Sequence, residues 1–220
     1  MPHDSPLARN RPTARMINVL IVDDHPVVRF GLSAIISLQP DMVVVGEAGS
    51  GEEACALCGE HPADVVLMDL RLPGVSGVQA IQRIRAANPE IRFIVLTTYD
   101  GDEDIQRALD AGAQAYLLKA MSHVDVTAAI RKVVSGARVI PESVSRALAA
   151  RAPGCQLSPR EIEVLELIAG GLSNREIGTA LGITEATVKW HVNLILNRLD
   201  VADRTEAIVT ALQRGIIHLP

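Results

Sequence analysis

The hydrophobic periodicity of this sequence changes once, and that change constrains the fold more than any other feature. From residue 16 to about residue 136, short β-rich runs alternate with stretches whose apolar residues recur at helical spacing. The runs are Met16–Val22, Met42–Ala48, Val65–Met68, Phe93–Thr97 and Ala115–Leu118. Between them, Val28, Leu32, Ile35 and Ile36, or Val78, Ile81 and Ile84, follow the three-to-four-residue repeat of one helix face. Ser50-Gly-Glu-Glu53 opens one of these helices with a capping-box pattern. The alternation predicts an α/β doubly wound, five-stranded parallel sheet covered on both faces.

After Gly136 the strand pattern stops. Residues 137–156 hold Pro141, Pro153 and Gly154 around a short Ala-rich helical piece, Ser143–Ala150, and read as a linker. Residues 157–220 predict an all-α domain of four helices. Ser158-Pro-Arg-Glu161 caps the first, with Ile162, Leu165, Ile168 and Ala169 on one face, and Ser173-Asn-Arg-Glu176 caps the second, with Ile177, Ala180 and Leu181. Gly182-Ile-Thr184 turns tightly into a third, whose Val188, Val192, Ile195 and Leu199 face inward, and Asp203-Arg-Thr-Glu206 caps a fourth. Two short helices joined by a tight glycine-containing turn form a helix-turn-helix unit.

Composition narrows the class. Apolar residues make up 48% of the 220, with two Phe, two Tyr and one Trp, so the core is aliphatic. No apolar run approaches the roughly 20 residues of a membrane span, and none is expected. Residues 1–15 are polar with no apolar stretch, and read as a loose tail without a secretory signal. Three cysteines argue against a disulfide framework, and Cys55 and Cys58 read as packing residues in a reducing, cytoplasmic setting. A net charge of −5 by itself points to neither nucleic acid nor an anionic membrane.

Three acids close two of the strands: Asp69 ends VVLMD, and Asp23 and Asp24 end NVLIVDD. In an open parallel sheet, ligands bind at the carboxyl ends of the strands, near the topological switch point. Asp23, Asp24, Asp69, Thr97 and Lys119 all belong to that end. Clustered carboxylates repel unless a cation sits among them, and oxygen-only ligands suit Mg²⁺. Lys119 adds positive charge and Thr97 a hydroxyl, an arrangement suited to attack by a carboxylate on a phosphoryl donor. Taken singly, Asp23 or Asp24 could instead cap the helix beginning near Pro26. Lys119 could be a surface lysine, and Tyr116 a plain core or surface tyrosine. His25 reads as a helix-start residue in preference to a ligand.

The ordered segments IVDDHP, VLMDLRLPGVSG, VLTTYD and AGAQAYLLK resemble those of response-regulator receiver domains, which have a flavodoxin-like fold; the resemblance covers nearly all of residues 16–136. It implies that Asp69 is the phosphoacceptor and that Asp24, Asp69 and the backbone carbonyl of Arg71 hold Mg²⁺, with Asp23 assisting through water. Thr97 and Lys119 would bind the phosphoryl group, and Tyr116 would be the switch aromatic that follows Thr97. Ala120 stands where such domains usually have Asp or Pro. Water reaching Asp69 must pass Arg71 and Tyr99, both large, so slow self-dephosphorylation is expected.

The segments LSPREIEVLELIAGGLSNREIGTALGITEATVKWHV and DRTEAIV resemble the LuxR-type helix-turn-helix domain of the quorum-sensing and nitrate-type regulators. The third helix would enter the major groove, with Lys189, Trp190 and Asn193 toward base edges. Thr187, Ser173, Asn174 and Arg175 are placed for phosphates. Trp190 either meets a thymine methyl or packs on a neighbour, and His191 packs or reaches a phosphate. Asp200 occupies a place often held by Gly. Residues 156–220 carry six Lys/Arg against eight Asp/Glu, without the basic footprint usual for DNA binding, so dimerisation through the fourth helix (Ala207, Ile208, Ala211, Leu212) is expected to be needed. Lys189, Arg175, Arg198 and Arg204 would supply the positive charge toward the groove.

Together these features identify the chain as resembling a two-component transcription factor. The implied function is non-enzymatic: a sensor histidine kinase phosphorylates Asp69, releasing the recognition helix and promoting homodimerisation on double-stranded DNA. The resemblance leaves room for RNA polymerase as a further partner and gives the membrane no role. Two alternatives remain: a regulator acting without phosphorylation, and a Mg-dependent phosphohydrolase using Asp69 as a turnover nucleophile.

Overall fold

A computed structural model describes residues 15–98, 101–142, 144–145 and 156–218; the tail before residue 15, Tyr99 and nearly all of the expected linker helix lie outside them. The strands are β1 Ile17–Val22, β2 Met42–Ala48, β3 Val65–Met68, β4 Arg92–Thr97 and β5 Ala115–Leu118. Between and after them run α1 Pro26–Ser37, α2 Gly51–Glu60, α3 Gly77–Ala87, α4 Asp102–Ala111 and α5 His123–Val134. All pairings are parallel, in the order β2-β1-β3-β4-β5. The chain reverses direction across the sheet between β1 and β3, which places the switch point there.

Strand side chains alternate between two aliphatic layers, as a period of two requires. Val19, Ile21, Leu67, Ile94 and Leu117 pack with α1 and α5, through Leu32, Ile36, Ile130 and Val133. Leu20, Val22, Met68, Phe93 and Tyr116 pack with α2, α3 and α4, through Ala54, Ile81, Ile84 and Ile105. Both faces are buried, so the strands read as continuous apolar runs in the sequence. After α5 the chain adds a β-bridge to the edge of β5: Val139 pairs with Ala115, and the Tyr116 amide donates to the Val139 carbonyl at 3.1 Å. Val144 is then buried beside Tyr116 in the α4-side core.

Four more helices follow: α6 Pro159–Ala169, α7 Asn174–Leu181, α8 Glu185–Leu199 and α9 Arg204–Gln213. Ser158–Glu161 and Ser173–Glu176 form full capping boxes, and Thr184 and Asp203 cap the other two helices. Their core joins Val164, Leu165, Ile168, Ile177, Val188, Ile195 and Leu199 to Ala207, Ala211, Ile216 and Ile217. Ala180, expected on the inner face of α7, is exposed. Ala207 and Ala211 face this core as well, because they are needed to close it against α6 and α8. Of the four residues expected at a pairing face, Ala207 and Ala211 are buried and Ile208 and Leu212 half-buried, while Val209 is the exposed apolar residue of α9, at 48%.

Asp200 ends α8 in the left-handed region, at φ 55°, the one non-glycine residue with positive φ among those described. A Cβ there crowds the following carbonyl, although aspartate tolerates it better than most residues. Asp200→Gly is expected to stabilise the helical domain by about 1 kcal/mol, read as a higher denaturant midpoint at unchanged slope.

Candidate functional site

The backbone ladder runs one residue past the strands and thereby fixes the site. The Asp23 amide donates to the Ala48 carbonyl at 3.1 Å, Asp69 to Val22 at 2.8 Å, and Lys119 to Thr97 at 2.8 Å. Each acid or base thus hangs from a rigid strand end. Asp23, Asp69 and Thr97 are buried, Asp24 exposed. Lys119 Nζ lies 2.6 Å from Asp23 Oδ2 and 2.7 Å from Asp69 Oδ2, bridging two carboxylates from different strands.

This bridge explains the electrostatics. Burial pushes the Asp69 carboxyl above its ordinary range and the charge of Asp23 adds to the rise; the hydrogen bond and charge of Lys119 and the Arg71 amide only partly offset it. Burial also works against the Lys119 ammonium, but hydrogen bonds and charge from both Asp23 and Asp69 outweigh it and hold the lysine above its usual value. The two directions agree: one cation is shared by two anions, so the cation gains and Asp69 remains under-compensated.

Asp23, Asp24, Asp69 and His25 present ligand atoms within 4.8 Å of one another. His25 Nδ1 is already paired with Asp24 Oδ1 at 2.6 Å, and His25 is the N-cap residue of α1 without a side-chain cap bond. Neither Asp23 nor Asp24 caps that helix; Asp23 Oδ1 accepts from the His25 amide at 2.9 Å. The three carboxylates are therefore free of a helix-capping duty, and their hard oxygen donors fit a divalent cation.

Two supports were not expected. Arg29, on α1, donates to the Asp23 carbonyl at 2.5 Å and so ties the acidic turn to the helix that follows it. Gly77 opens α3 against the loop bearing Asp69: a Cβ there would stand 2.0 Å from the Asp69 carbonyl oxygen. The sequence signal for both is slight, an arginine one turn into a helix and one glycine among sixteen.

Tyr116 is fully buried on the α4 side of the sheet, and Lys119 reaches the site with Ala120 behind it. Arg71 keeps its amide on Asp69 Oδ1 at 3.3 Å, while its guanidinium points to the second domain, where Nη2 donates to His218 Nδ1 at 2.5 Å. Tyr99, the other residue expected to shield Asp69, lies outside the described residues. Cys58 is buried, which pushes its thiol up to about 12, and burial raises Cys55 as well; both thiols are far from reactive thiolates.

In the helical domain, Lys189, Trp190 and Asn193 point outward from α8. Trp190 is 58% exposed, and its ring meets that of His191 edge-on with centroids 4.9 Å apart, so it packs on a neighbour while keeping a free surface. Thr187 shares a hydrogen bond with Thr184 at 2.8 Å. Ser173 is engaged in its capping box with Glu176, whose carboxyl the serine hydroxyl holds below its ordinary value. Arg198 and Arg204, expected toward the groove, are both engaged within the domain. Arg198 binds buried Glu161 at 2.5 Å and the Gln156 carbonyl, and Arg204 binds Asn174 and the Leu172 carbonyl, each acting as an internal strut. Arg175 remains exposed, and Lys189 pairs with Glu185 at 2.9 Å, one turn back. Glu185→Gln is therefore expected to tighten non-specific DNA binding about threefold at low salt, with a smaller gain at high salt, in a titration at two ionic strengths.

A parallel sheet with three acids and a lysine at its switch point, joined to a helix-turn-helix domain, defines a receiver coupled to a DNA-binding module. The comparisons agree. Residues 19–131 match the response regulator receiver domain family, and residues 155–211 match the bacterial regulatory proteins of the luxR family. The chain is 43% identical over 207 residues to the response regulator protein VraR of Staphylococcus aureus, covering 92% of this chain and 99% of that one. Among solved structures it resembles the response regulator ChrA of a heme-sensing two-component system, with 38% identity, coverage of 92% and 99%, and a TM-score of 0.54. It also resembles RcsB of Salmonella enterica serovar Typhimurium bound to a promoter in the presence of the phosphomimetic BeF3−, with 30% identity, coverage of 88% and 97%, and a TM-score of 0.67. The chain belongs to the luxR-family two-component response regulators.

Proposed function

We propose that this protein is a phosphorylation-controlled transcriptional regulator whose switch is Asp69. The observation that carries the reading is the lysine bridge: Lys119 Nζ sits 2.6–2.7 Å from two buried carboxylates at a sheet end that also bears Thr97. An Asp69 carboxylate oxygen attacks the phosphorus of a phosphohistidine on a sensor kinase. The new O–P bond forms as the P–N bond breaks, and the donor imidazole keeps the nitrogen electron pair. Lys119 then leaves Asp69 Oδ2 for a phosphoryl oxygen, and the Thr97 hydroxyl donates to another. Asp24, Asp69 and the Arg71 carbonyl, with Asp23 in support, are the groups that would hold Mg²⁺, which supplies charge neutralisation for the incoming phosphoryl oxygens.

On the DNA side, Lys189, Trp190 and Asn193 read base edges, while Thr187, His191, Ser173, Asn174 and Arg175 serve phosphates. Two of the four cations expected at the groove are internal struts. That poverty supports binding as a homodimer on paired half-sites, where two weak modules add. We divide the chain into a receiver at 16–136, a linker at 137–156 and a DNA-binding domain at 157–220. No described helix is long and apolar enough to cross a membrane; action on DNA implies a cytoplasmic protein. Turnover hydrolysis is disfavoured because the residue two after Asp69 is Arg71, whose guanidinium turns to the second domain and leaves no base at that position to activate water.

The test is a salt-controlled titration on genomic DNA fragments, with and without a small phosphodonor and Mg²⁺, for the native chain and Asp69→Ala. Tightening with phosphodonor that disappears in Asp69→Ala is expected. Tight binding indifferent to both would assign the chain to regulators that work without phosphorylation.

A further inference from the structure

The two domains touch through the last turn of the chain. Ile216 and Ile217 are buried in the helical core, so residues 214–218 project from it as a firm edge. That edge meets the start of α4. The Glu103 amide donates to the Arg214 carbonyl at 3.1 Å, and the Arg214 guanidinium donates to both oxygens of Asp102, at 3.2 and 3.0 Å. The approach is close enough that a Cβ on Gly101 would lie 2.6 Å from the Arg214 carbonyl carbon. His218 completes the contact. Its Nδ1 accepts from Arg71 Nη2 at 2.5 Å, which leaves Nε2–H to donate to Asp104 Oδ1 at 3.2 Å. The ring is thus a relay between the phosphoacceptor loop and α4.

The contact does not cover the DNA-reading face. Trp190 is 58% exposed, and Lys189 and Asn193 are exposed beside it, with the domains touching. What the contact restrains directly is the end of α9 and, through it, the orientation of the whole helical domain.

Resting on the reading of Asp69 as phosphoacceptor, we infer that Arg71 is the residue through which the helical domain senses phosphorylation, one guanidinium being shared in turn by His218 and the phosphoryl group. Arg71 is two residues from Asp69, and its side chain lines a cleft of about 580 Å³ together with Asp24, Ser76, Asp104, Arg107 and His218. A phosphoryl group on Asp69, whose carboxylate already accepts from the Arg71 amide, adds nearly two negative charges beside Arg71. The competing partner of the guanidinium is His218 Nδ1, an acceptor in this contact. The bond to His218 has a charge on the donor only, whereas guanidinium and phosphate are opposite charges that pair through two parallel bonds. The phosphoryl group wins that competition, Arg71 turns toward it, and His218 loses one of its two partners. The domain contact then keeps the Glu103–Arg214 backbone bond, the Asp102–Arg214 pair and the Asp104 bond, but without the Arg71 tie it opens more often.

Hydrogen exchange on the full chain reads this directly, because the Glu103 amide is protected by an interdomain bond. Native protein, His218→Ala and Arg71→Ala are treated with acetyl phosphate and Mg²⁺, and the intact mass of each records phosphorylation. In the native chain, exchange of peptides covering residues 101–105 and 214–218 is expected to quicken about tenfold on phosphorylation, the effect of losing one charge-assisted bond. His218→Ala should phosphorylate, exchange rapidly beforehand, and show no further rise; Arg71→Ala should be equally indifferent. A phosphorylated native chain with unchanged exchange, or a His218→Ala chain that still responds like the native one, overturns the inference while Asp69 remains the acceptor. Absence of phosphate on the native chain would remove both.

Discussion

Replacing Lys119 with Met is expected to lower the stability of the receiver by about 3 kcal/mol at neutral pH and to abolish phosphorylation. The lysine is the one described cation within reach of both buried acids, and its side chain is only 12% exposed. Removing one partner of a buried ion cluster costs more than the cluster contributes when intact, because Asp23 and Asp69 are left facing each other without compensation. The loss should be pH-dependent in a fixed direction. A carboxyl whose folded pKa is raised, as for Asp69, favours the fold below its unfolded value of 3.8 and disfavours it as pH rises through the folded value. Removing Lys119 pushes that folded value up further, so the deficit of the variant should shrink on acidification and grow toward neutrality. Mg²⁺ should recover part of it by taking the vacated electrostatic role. Urea unfolding at several pH values, with and without Mg²⁺, measures all three; a deficit independent of both would contradict the bridge as the source of stability.

Gly77→Ala carries the second large effect, on rate. The added Cβ would fall 2.0 Å from the Asp69 carbonyl oxygen, a backbone atom that cannot swing aside as a flexible side chain could. Either α3 or the loop bearing Asp69 must retreat by about an ångström. Misplacing a reacting group by that much costs on the order of a hundredfold in rate. Phosphorylation by a small phosphodonor is therefore expected to slow about a hundredfold, with a cost to folding of only 1–3 kcal/mol typical of overpacking. The same substitution at Gly31 or Gly59, where a Cβ meets nothing within 4 Å, should leave the rate unchanged and serves as the control.

Much of this arrangement was legible in the primary structure because it depends on local rules. Strands buried on both faces must be apolar throughout, so β1, β3 and β4 announced themselves, and polar residues closing such strands had few structural excuses. Helix starts in the second domain were marked by Ser158, Ser173, Thr184 and Asp203, each capping through its own side chain. The charge count of that domain was read correctly, but its geography was not. Arg198 and Arg204 are partly exposed cations whose struts join residues 37 and about 30 positions away, to Glu161 and Asn174, and no local pattern encodes such pairings. Ala207 and Ala211 likewise lie on a helix whose apolar residues occupy more than one face, and only the packing of α9 against its neighbours decides which face is inside.

What the sequence alone determined is the order of elements, the two-domain plan and the identity of the acids and lysine at the strand ends, since strand periodicity and capping act over a few residues. The tertiary structure alone decided that one lysine spans two carboxylates, that Gly77 makes room for Asp69, and that His218 meets both Arg71 and Asp104. Those contacts join residues from 8 to 147 positions apart, and they exist only once the chain has closed on itself and burial has removed the water that would otherwise satisfy each group separately.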